Sequence, residues 1–317
     1  MSSALQVNVV QIRQLSAVIK EFVLKPVAGT ELPAFAPGSH VILDLNINGQ
    51  LQRNAYSLTS SPFDRSHYRI AVRLQENSRG GSRYLHKQVK QGQVLNISWP
   101  KNYFHFEYGA SKRLLIAGGI GITPFMPLLA CLPWLTVMTE MHYAFRNKDD
   151  AVYIGELQQG FEAKLYCYEN ALGQTLMPEQ LLAAQPIGTH VYVCGPESLI
   201  DAVRAAAMAL GWPDSNIHFE KFSVDSSGEP FRVLLQQGDI TIEVAAEESL
   251  LEALEKNGIK VRNLCRAGVC GECKTSLLNG DADHRDLFLS DAEKSAGDCI
   301  MLCVSRARGD NKLLLDL

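Results

Sequence analysis

The stretch Cys265-Arg266-Ala267-Gly268-Val269-Cys270-Gly271-Glu272-Cys273 decides how the last third of this chain folds. Its spacing is C-x4-C-x2-C, and 29 residues separate Cys273 from a fourth cysteine, Cys303. Four thiolates at this spacing suit a plant-type [2Fe–2S] cluster. Small residues at Ala267, Gly268 and Gly271 let the loop wrap a cluster and turn backbone N–H groups toward its sulfurs, while Cys303 must return from a separate element. A zinc site and a disulfide framework are the competing uses. Zinc ligands usually come as two short C-x2-C knuckles, and only one is present. Disulfides belong to exported chains, and Met1-Ser2-Ser3-Ala4-Leu5-Gln6 has neither a basic nor an apolar leader pattern. Cys299 is the one rival of Cys303, which is preferred because it follows the strand-like run Ile300-Met301-Leu302. Cys131, Cys167 and Cys194 stand singly and read as small core or loop residues.

Immediately upstream, Phe231-Arg232-Val233-Leu234-Leu235 and Ile240-Thr241-Ile242-Glu243-Val244 bracket Gln237-Gly238-Asp239 as a hairpin. Ser249-Leu250-Leu251-Glu252 is a capping box opening a helix that stops at Gly258. Two strands, a helix and a cysteine loop predict a small α+β ferredoxin module over 231–317. A polar linker, 225–230, precedes it.

Residues 109–224 alternate strand and helix, which predicts a parallel α/β sheet. Arg113-Leu114-Leu115-Ile116-Ala117 is a buried-strand pattern, followed by Gly118-Gly119-Ile120-Gly121-Ile122-Thr123-Pro124. Strand, glycine turn and helix present N–H groups to a dinucleotide, although the full G-x-G-x-x-G fingerprint and its acidic partner are missing. Val191-Tyr192-Val193-Cys194-Gly195-Pro196 is a second strand end, and its helix is read with Leu199, Val203, Ala206 and Leu210 on one face. The uncharged run Leu114–Thr139 is long enough to span a bilayer. Its three glycines and three prolines favour a strand, a turn and a buried helix instead.

Residues 1–108 read as many short strands parted by Asn48-Gly49, Pro37-Gly38 and Gln91-Gly92, the pattern of an antiparallel β-barrel. One helix interrupts it near Ser82–Val89. Asn77-Ser78-Arg79-Gly80-Gly81-Ser82 leads into that helix and offers free N–H groups, a cation and a hydroxyl to a phosphate; an ordinary helix start fits equally. Tyr56-Ser57 ends a strand with a ring and a hydroxyl suited to a flat cofactor.

The chain as a whole has 317 residues, 46% hydrophobic and 20% charged, with net charge −4, and nothing in it suggests nucleic acid. Cytoplasmic residence with reduced thiols is expected.

The three modules in this order, with Tyr56-Ser57-Leu58, Arg79-Gly80-Gly81-Ser82, Gly118–Pro124, Cys194-Gly195-Pro196, His218-Phe219-Glu220-Lys221-Phe222 and the cysteine set, resemble the phthalate dioxygenase reductase family. This family is a branch of the ferredoxin–NADP reductase superfamily with a fused C-terminal β-grasp ferredoxin. The resemblance implies FMN, NADH as donor, a [2Fe–2S] cluster on Cys265, Cys270, Cys273 and Cys303, and a Rieske-type oxygenase as acceptor. A flavin or quinone reductase serving a small molecule is the alternative. By resemblance Arg53, Asn54, Ala55, Tyr56, Ser57, Ala71 and Val72 surround the flavin, and Arg79, Gly80, Gly81 and Ser82 hold its phosphate. Gly118, Gly119, Gly121, Ile122, Thr123, Arg146, Cys194, Gly195 and Pro196 line the dinucleotide. Phe222 covers the flavin ring, and Ser57, Glu220 and Phe222 attend the chemistry. One departure stands out: the family's usual arginine two residues before the tyrosine is Asn54 here, with Arg53 one earlier. Arg146 or Lys148 is a possible greeter of a 2′-phosphate, whereas the resemblance implies NADH.

Overall fold

The structure is a computed structural model, and it describes residues 4–75, 80–107, 109–222, 226–238, 240–309 and 312–317. Its contacts divide the chain into two compact units, Met1–Lys221 and Phe222–Leu317.

The first unit begins with seven antiparallel strands: β1 (Leu5–Ser16), β2 (Ile19–Pro26), β3 (Ser39–Ile47), β4 (Gln50–Ser57), β5 (Tyr68–Arg73), β6 (Val94–Ile97) and β7 (Lys101–Asn102). They run in the order β4-β3-β6-β1-β2-β5, with β7 on β3. A bridge between Leu58 and Ile70 joins the two ends of that path and closes the barrel, which removes the open edges. Val7, Val9, Phe22, Leu24, Val41, Leu43 and Ile70 alternate into its core. The expected helix is α1 (Gly81–Lys87).

A parallel sheet follows: β8 (Lys112–Gly118), β9 (Met138–Phe145), β10 (Leu165–Glu169), β11 (Thr189–Cys194) and β12 (Ile217–Glu220), ordered β10-β9-β8-β11-β12. Helices α2 (Ile154–Phe161), α3 (Pro178–Ala183) and α4 (Glu197–Ala209) accompany it. Strand order reverses beside β8, so the switch point lies between β8 and β11. Gly119–Ala130 forms a twelve-residue 3₁₀ helix rather than an α-helix. Pro124 and Pro127 each lack an N–H and break the α ladder. Much of this run is buried in the core, and no helix among the described residues is long and apolar enough to cross a membrane. In α4 the buried face is Ile200, Val203, Ala206 and Ala207. Leu210 lies beyond the last helical residue and is exposed, so it does not share that face as expected. Barrel and sheet share a core, in which Ile19, Ala71 and Phe104 pack with Leu115, Phe125 and Tyr143.

The second unit holds β13 (Phe231–Leu235), β14 (Ile240–Val244), α5 (Leu250–Lys256), β15 (Lys274–Asn279), β16 (Asp281–Asp283), α6 (Asp291–Ala296), β17 (Cys299–Met301), β18 (Arg306–Arg308) and β19 (Lys312–Leu315). Its main sheet is ordered β14-β13-β19-β15-β17. The Ser249 capping box forms as expected: the hydroxyl accepts from Glu252 N–H at 3.2 Å and the Glu252 carboxylate accepts from Ser249 N–H at 3.0 Å.

Candidate functional site

The cysteine loop leaves α5 and takes left-handed backbone at Arg266, Gly268 and Gly271. Both glycines are required for space as well. A Cβ on Gly271 would lie 2.3 Å from the Phe288 ring, and one on Gly268 would lie 3.0 Å from the Asp286 backbone. Residues 286–289 brace this loop: Leu287 N–H donates to Gly268 O at 3.0 Å, and buried Asp286 accepts from Leu289 N–H at 2.8 Å.

The four sulfurs gather in two pairs. Cys265 and Cys270 are hydrogen-bonded to each other, and the Cys273 and Cys303 sulfurs stand 3.3 Å apart. Among the described residues no three such side chains converge on one point, as a single metal ion needs. Two thiolates for each of two irons fit instead. Backbone N–H groups of Ala267, Val269 and Cys270 point at Cys265, that of Glu272 at Cys270 and that of Gly268 at Cys303. Cys270 donating to Cys265 holds the Cys265 thiol below its ordinary value, and the same contact pushes Cys270 up. Cys299 faces Asp298 inside β17 and belongs to neither pair. All eight cysteines are free.

In the first unit the two glycine motifs meet backbone to backbone at the carboxyl ends of β8 and β11. A Cβ on Gly121 would lie 2.2 Å from Cys194 O, and one on Gly195 would lie 2.9 Å from Gly118 Cα. A Cβ on Gly118 would strike Pro196 at 2.6 Å. Gly119 is left-handed, and buried Thr123 donates to Ile120 O at 3.0 Å. Beside this contact opens a cleft of about 400 Å³, lined by Gly118, Gly119, Arg146 and Pro196. Ile122 and Cys194 are fully buried, so they shape the turn rather than line the cleft. Arg73, Asp150, Asn170 and Thr175 also line it, and sequence reasoning missed them. Asp150 brings an acidic side chain to the cleft, which the glycine motif lacked at the usual spacing. It lies beyond β9 in a 3₁₀ turn capped by Asn147, a signal hidden by its distance from Gly118.

Glu220 ends β12 opposite Cys194. Its Oε2 is shut from solvent and has no hydrogen-bond partner among the described residues. Burial pushes the carboxyl up to about 8, and burial together with Glu220 pushes the Cys194 thiol well up. A protonated carboxyl and a neutral thiol therefore stand side by side where the strands end.

On the barrel, Asn54 and Tyr56 share one face of β4, and Arg53 and Ala55 share the other. The Asn54 amide packs directly on Gly81: a Cβ there would lie 2.5 Å from Asn54 Oδ1. Arg53 is instead engaged with Asp44 across β3, Nε to Oδ1 at 3.0 Å. The residue in the usual arginine position thus reaches the start of α1, and Arg53 does not. Ser82 Oγ accepts from Gln75 N–H at 3.2 Å. Gly80, at the N-cap of α1, is left-handed. Tyr56 is half-buried, with its hydroxyl pushed up by burial. Ser57 is buried at the end of β4, while Ala71 and Val72 are core residues of β5 that offer a ligand only backbone. Arg79 lies outside the described residues. Phe222 is exposed and opens the second unit.

Three family models match in succession: an oxidoreductase FAD-binding domain over residues 6–108, the N-terminal domain of a dimethylamine monooxygenase subunit DmmA-like family over 100–217, and a 2Fe-2S iron-sulfur cluster binding domain over 233–308. The chain is 45% identical to the carnitine monooxygenase reductase subunit of Escherichia coli (strain K12), over 98% of each chain. It is 47% identical to the heme-dependent oxidative N-demethylase beta subunit of Ectopseudomonas mendocina (strain ymp), over the full length of both. Among solved structures, phthalate dioxygenase reductase, described as a modular structure for electron transfer from pyridine nucleotides to [2Fe-2S], matches with TM-score 0.80 and 32% identity, over 99% of this chain and 98% of that one.

Proposed function

Because this chain belongs to the phthalate dioxygenase reductase family, it is an NADH-dependent oxidoreductase serving an oxygenase, and we propose how its residues divide that work. NADH gives two electrons together as hydride, whereas a [2Fe–2S] cluster takes one at a time. FMN, which does both, supplies the conversion. The two glycine motifs touching at the switch point carry the reading. Two strand ends stripped of side chains beside one cleft suit an extended phosphate-bearing ligand.

In this proposal residues 1–108 bind the flavin, 109–224 the dinucleotide and 231–317 the cluster, with 225–230 between. Gly119, Thr123, Gly195 and Arg73 face the pyrophosphate, and Asp150 accepts from a ribose hydroxyl. Tyr56 and Ser57 meet the flavin ring. Asn54 orients Gly81 and Ser82 at its phosphate, and Phe222 covers the ring until the nicotinamide enters. Glu220 holds a proton beside Cys194, so no carboxylate charge there opposes the negative charge that hydride would carry to the flavin. Cys265 with Cys270, and Cys273 with Cys303, hold the two irons.

The partner is an oxygenase component: relatives at 45% and 47% identity are named as subunits of larger systems, whereas the small-molecule alternative is supported at 38% by the tetrachlorobenzoquinone reductase of Sphingobium chlorophenolicum. We favour a Rieske-type partner. A plant-type cluster near roughly −400 mV delivers downhill to a Rieske centre at roughly −150 to +300 mV. A heme-bearing partner has its own support in the full-length match to an N-demethylase subunit. Cytoplasmic residence fits the eight free thiols.

Cys270→Ser tests the order of carriers. The variant keeps NADH-driven reduction of a dye at the flavin and loses reduction of the oxygenase. Loss of both activities in a folded, flavin-loaded variant refutes the order. Purified Rieske and heme oxygenases as alternative acceptors for the wild type then decide the partner.

A further inference from the structure

Within the first unit, barrel and nucleotide sheet meet at a buried carboxylate. Glu21 is 0% exposed on β2, where it shares one face with Ile19. Ile19 pairs with Arg73 of β5, and Glu21 pairs with Ala71. Glu21 Oε1 accepts from Arg13 Nε at 2.8 Å. Its Oε2 accepts from the Tyr153 hydroxyl at 2.9 Å, with Arg69 Nη1 at 3.8 Å. Tyr153 comes from the sheet side and stands at the N-cap of α2. It holds left-handed backbone with φ 64°, a conformation a bulky residue keeps only where its surroundings impose it. Its ring packs in the core that barrel and sheet share. Phenylalanine would fill that space as well, so the hydroxyl contributes direction rather than volume. Asp150, three residues before Tyr153, lines one side of the cleft, and Ile19, two residues before Glu21, lines the other beside Arg73.

We propose that Tyr153 is a positioning residue for the dinucleotide: its hydroxyl latches the Asp150 turn to the barrel and so sets the spacing between the two walls of the cleft. This role rests on the dinucleotide reading of the cleft given above. Short stretches of chain give the latch its leverage. Asp150 and Tyr153 are three residue steps apart, at most about 11 Å of chain, and Val152 N–H donating to Asp150 O at 3.1 Å tightens that stretch further. Glu21 and Ile19 are two steps apart on a paired strand, about 7 Å. A shift at the Tyr153–Glu21 contact therefore reaches both walls over a stiff path. Without the hydroxyl, apolar packing still joins barrel and sheet, but the ligand must itself order the walls when it binds. A hydrogen bond to a charged group shifts an equilibrium about ten- to a hundredfold. Arg13 and Arg69 stay on Glu21 when the hydroxyl is lost, so the lower figure is the one expected in binding. Once NADH has ordered the walls, hydride transfer starts from the same geometry, so affinity falls and the rate at saturation does not.

Tyr153→Phe removes the hydroxyl and keeps the ring. NAD+ is titrated into the full chain loaded with flavin and cluster, whose oxidised flavin does not react with it, and the dissociation constant is read by calorimetry. Tyr153→Phe is expected to bind NAD+ about tenfold more weakly. KM for NADH should rise by a similar factor, with the single-turnover rate of flavin reduction at saturating NADH within about twofold of wild type. Asp150→Asn supplies a readout that a merely structural role would not move. A latch that works by placing Asp150 makes the two losses overlap, so the double variant binds about as weakly as the weaker single one, whereas independent losses multiply to about a hundredfold. Glu21→Gln weakens the same bond from the barrel side. It is expected to raise the dissociation constant, with no further rise when Tyr153→Phe is added, and it decides alone should Tyr153→Phe fail to load flavin. Wild-type dissociation constants in both Tyr153→Phe and Glu21→Gln overturn the latch, as does a multiplicative loss with Asp150→Asn. An Asp150→Asn chain that binds NAD+ as wild type does refutes the ribose role of Asp150, and the Tyr153→Phe constant then decides the latch. A wild-type chain that does not bind NAD+ refutes the cleft reading, and the latch falls with it.

Discussion

Glu220→Gln is the perturbation whose consequences can be worked furthest. Glu220 sits opposite Cys194 at the strand ends, with Oε2 buried and unpartnered. Its carboxyl is raised from the ordinary 4.5 to about 8 by burial. Below about pH 4.5 the group is neutral in folded and unfolded chains alike, and its burial carries no proton cost. Between about 4.5 and 8 the unfolded chain releases the proton while the folded chain keeps it, so stability falls as pH rises. Above about 8 both states are ionised and the loss is complete. At about 1.4 kcal/mol per pH unit, the loss reaches about 2 kcal/mol at pH 6 and has a ceiling of about 5 kcal/mol. Glutamine keeps the shape and cannot ionise. The gain of the variant over wild type, measured by urea unfolding, is therefore near zero at pH 4.5 and grows to several kcal/mol by pH 8.5. The single-turnover rate of hydride transfer should lose its limb near pH 8 in the same variant. A stability gain that stays flat from pH 5 to 8.5 would show that the carboxyl is not held neutral and would refute the reasoning.

The remaining expectations concern the dinucleotide cleft. Gly121→Ala places a Cβ 2.2 Å from Cys194 O, a backbone atom that cannot step aside. Overpacking of about 1–3 kcal/mol is expected, and KM for NADH should rise about tenfold or more with the cluster spectrum untouched; an unchanged KM refutes the close approach. Asp150→Asn removes the carboxylate from the cleft while Arg146 remains. The ratio of kcat/KM for NADH over NADPH should drop about tenfold, and an unaltered ratio places donor choice elsewhere.

Much of this was legible in the sequence because local chemistry and fold agree there. The β-barrel, parallel sheet and ferredoxin module follow from strand periodicity and turn residues, and the Ser249 box fixes α5 to the residue. The cysteine spacing was the strongest signal, since the chain between ligands is too short to permit many geometries. What stayed hidden depended on partners distant in sequence. No periodicity could show that Asn54 lies on Gly81 while Arg53 turns to Asp44. Asp150 reaches the cleft through the path of the chain after β9, not through any spacing rule. The helix expected after Gly121 became 3₁₀ because two prolines outweighed the apolar character of their neighbours. The linker looked free because backbone carbonyls carry no mark in a sequence, yet Arg306 donates to those of Ser226 and Glu229.

The placement of β19 bears on how the protein is made. It lies between β13 and β15, parallel to the first and antiparallel to the second. Every cysteine ligand therefore leaves the ribosome before the strand that completes their sheet. Iron offered to the nascent chain meets a ligand loop whose supporting sheet still has a gap at its centre. Loading is expected to follow release of that strand, and a chain ending short of Lys312 should keep all four thiols yet hold a cluster poorly.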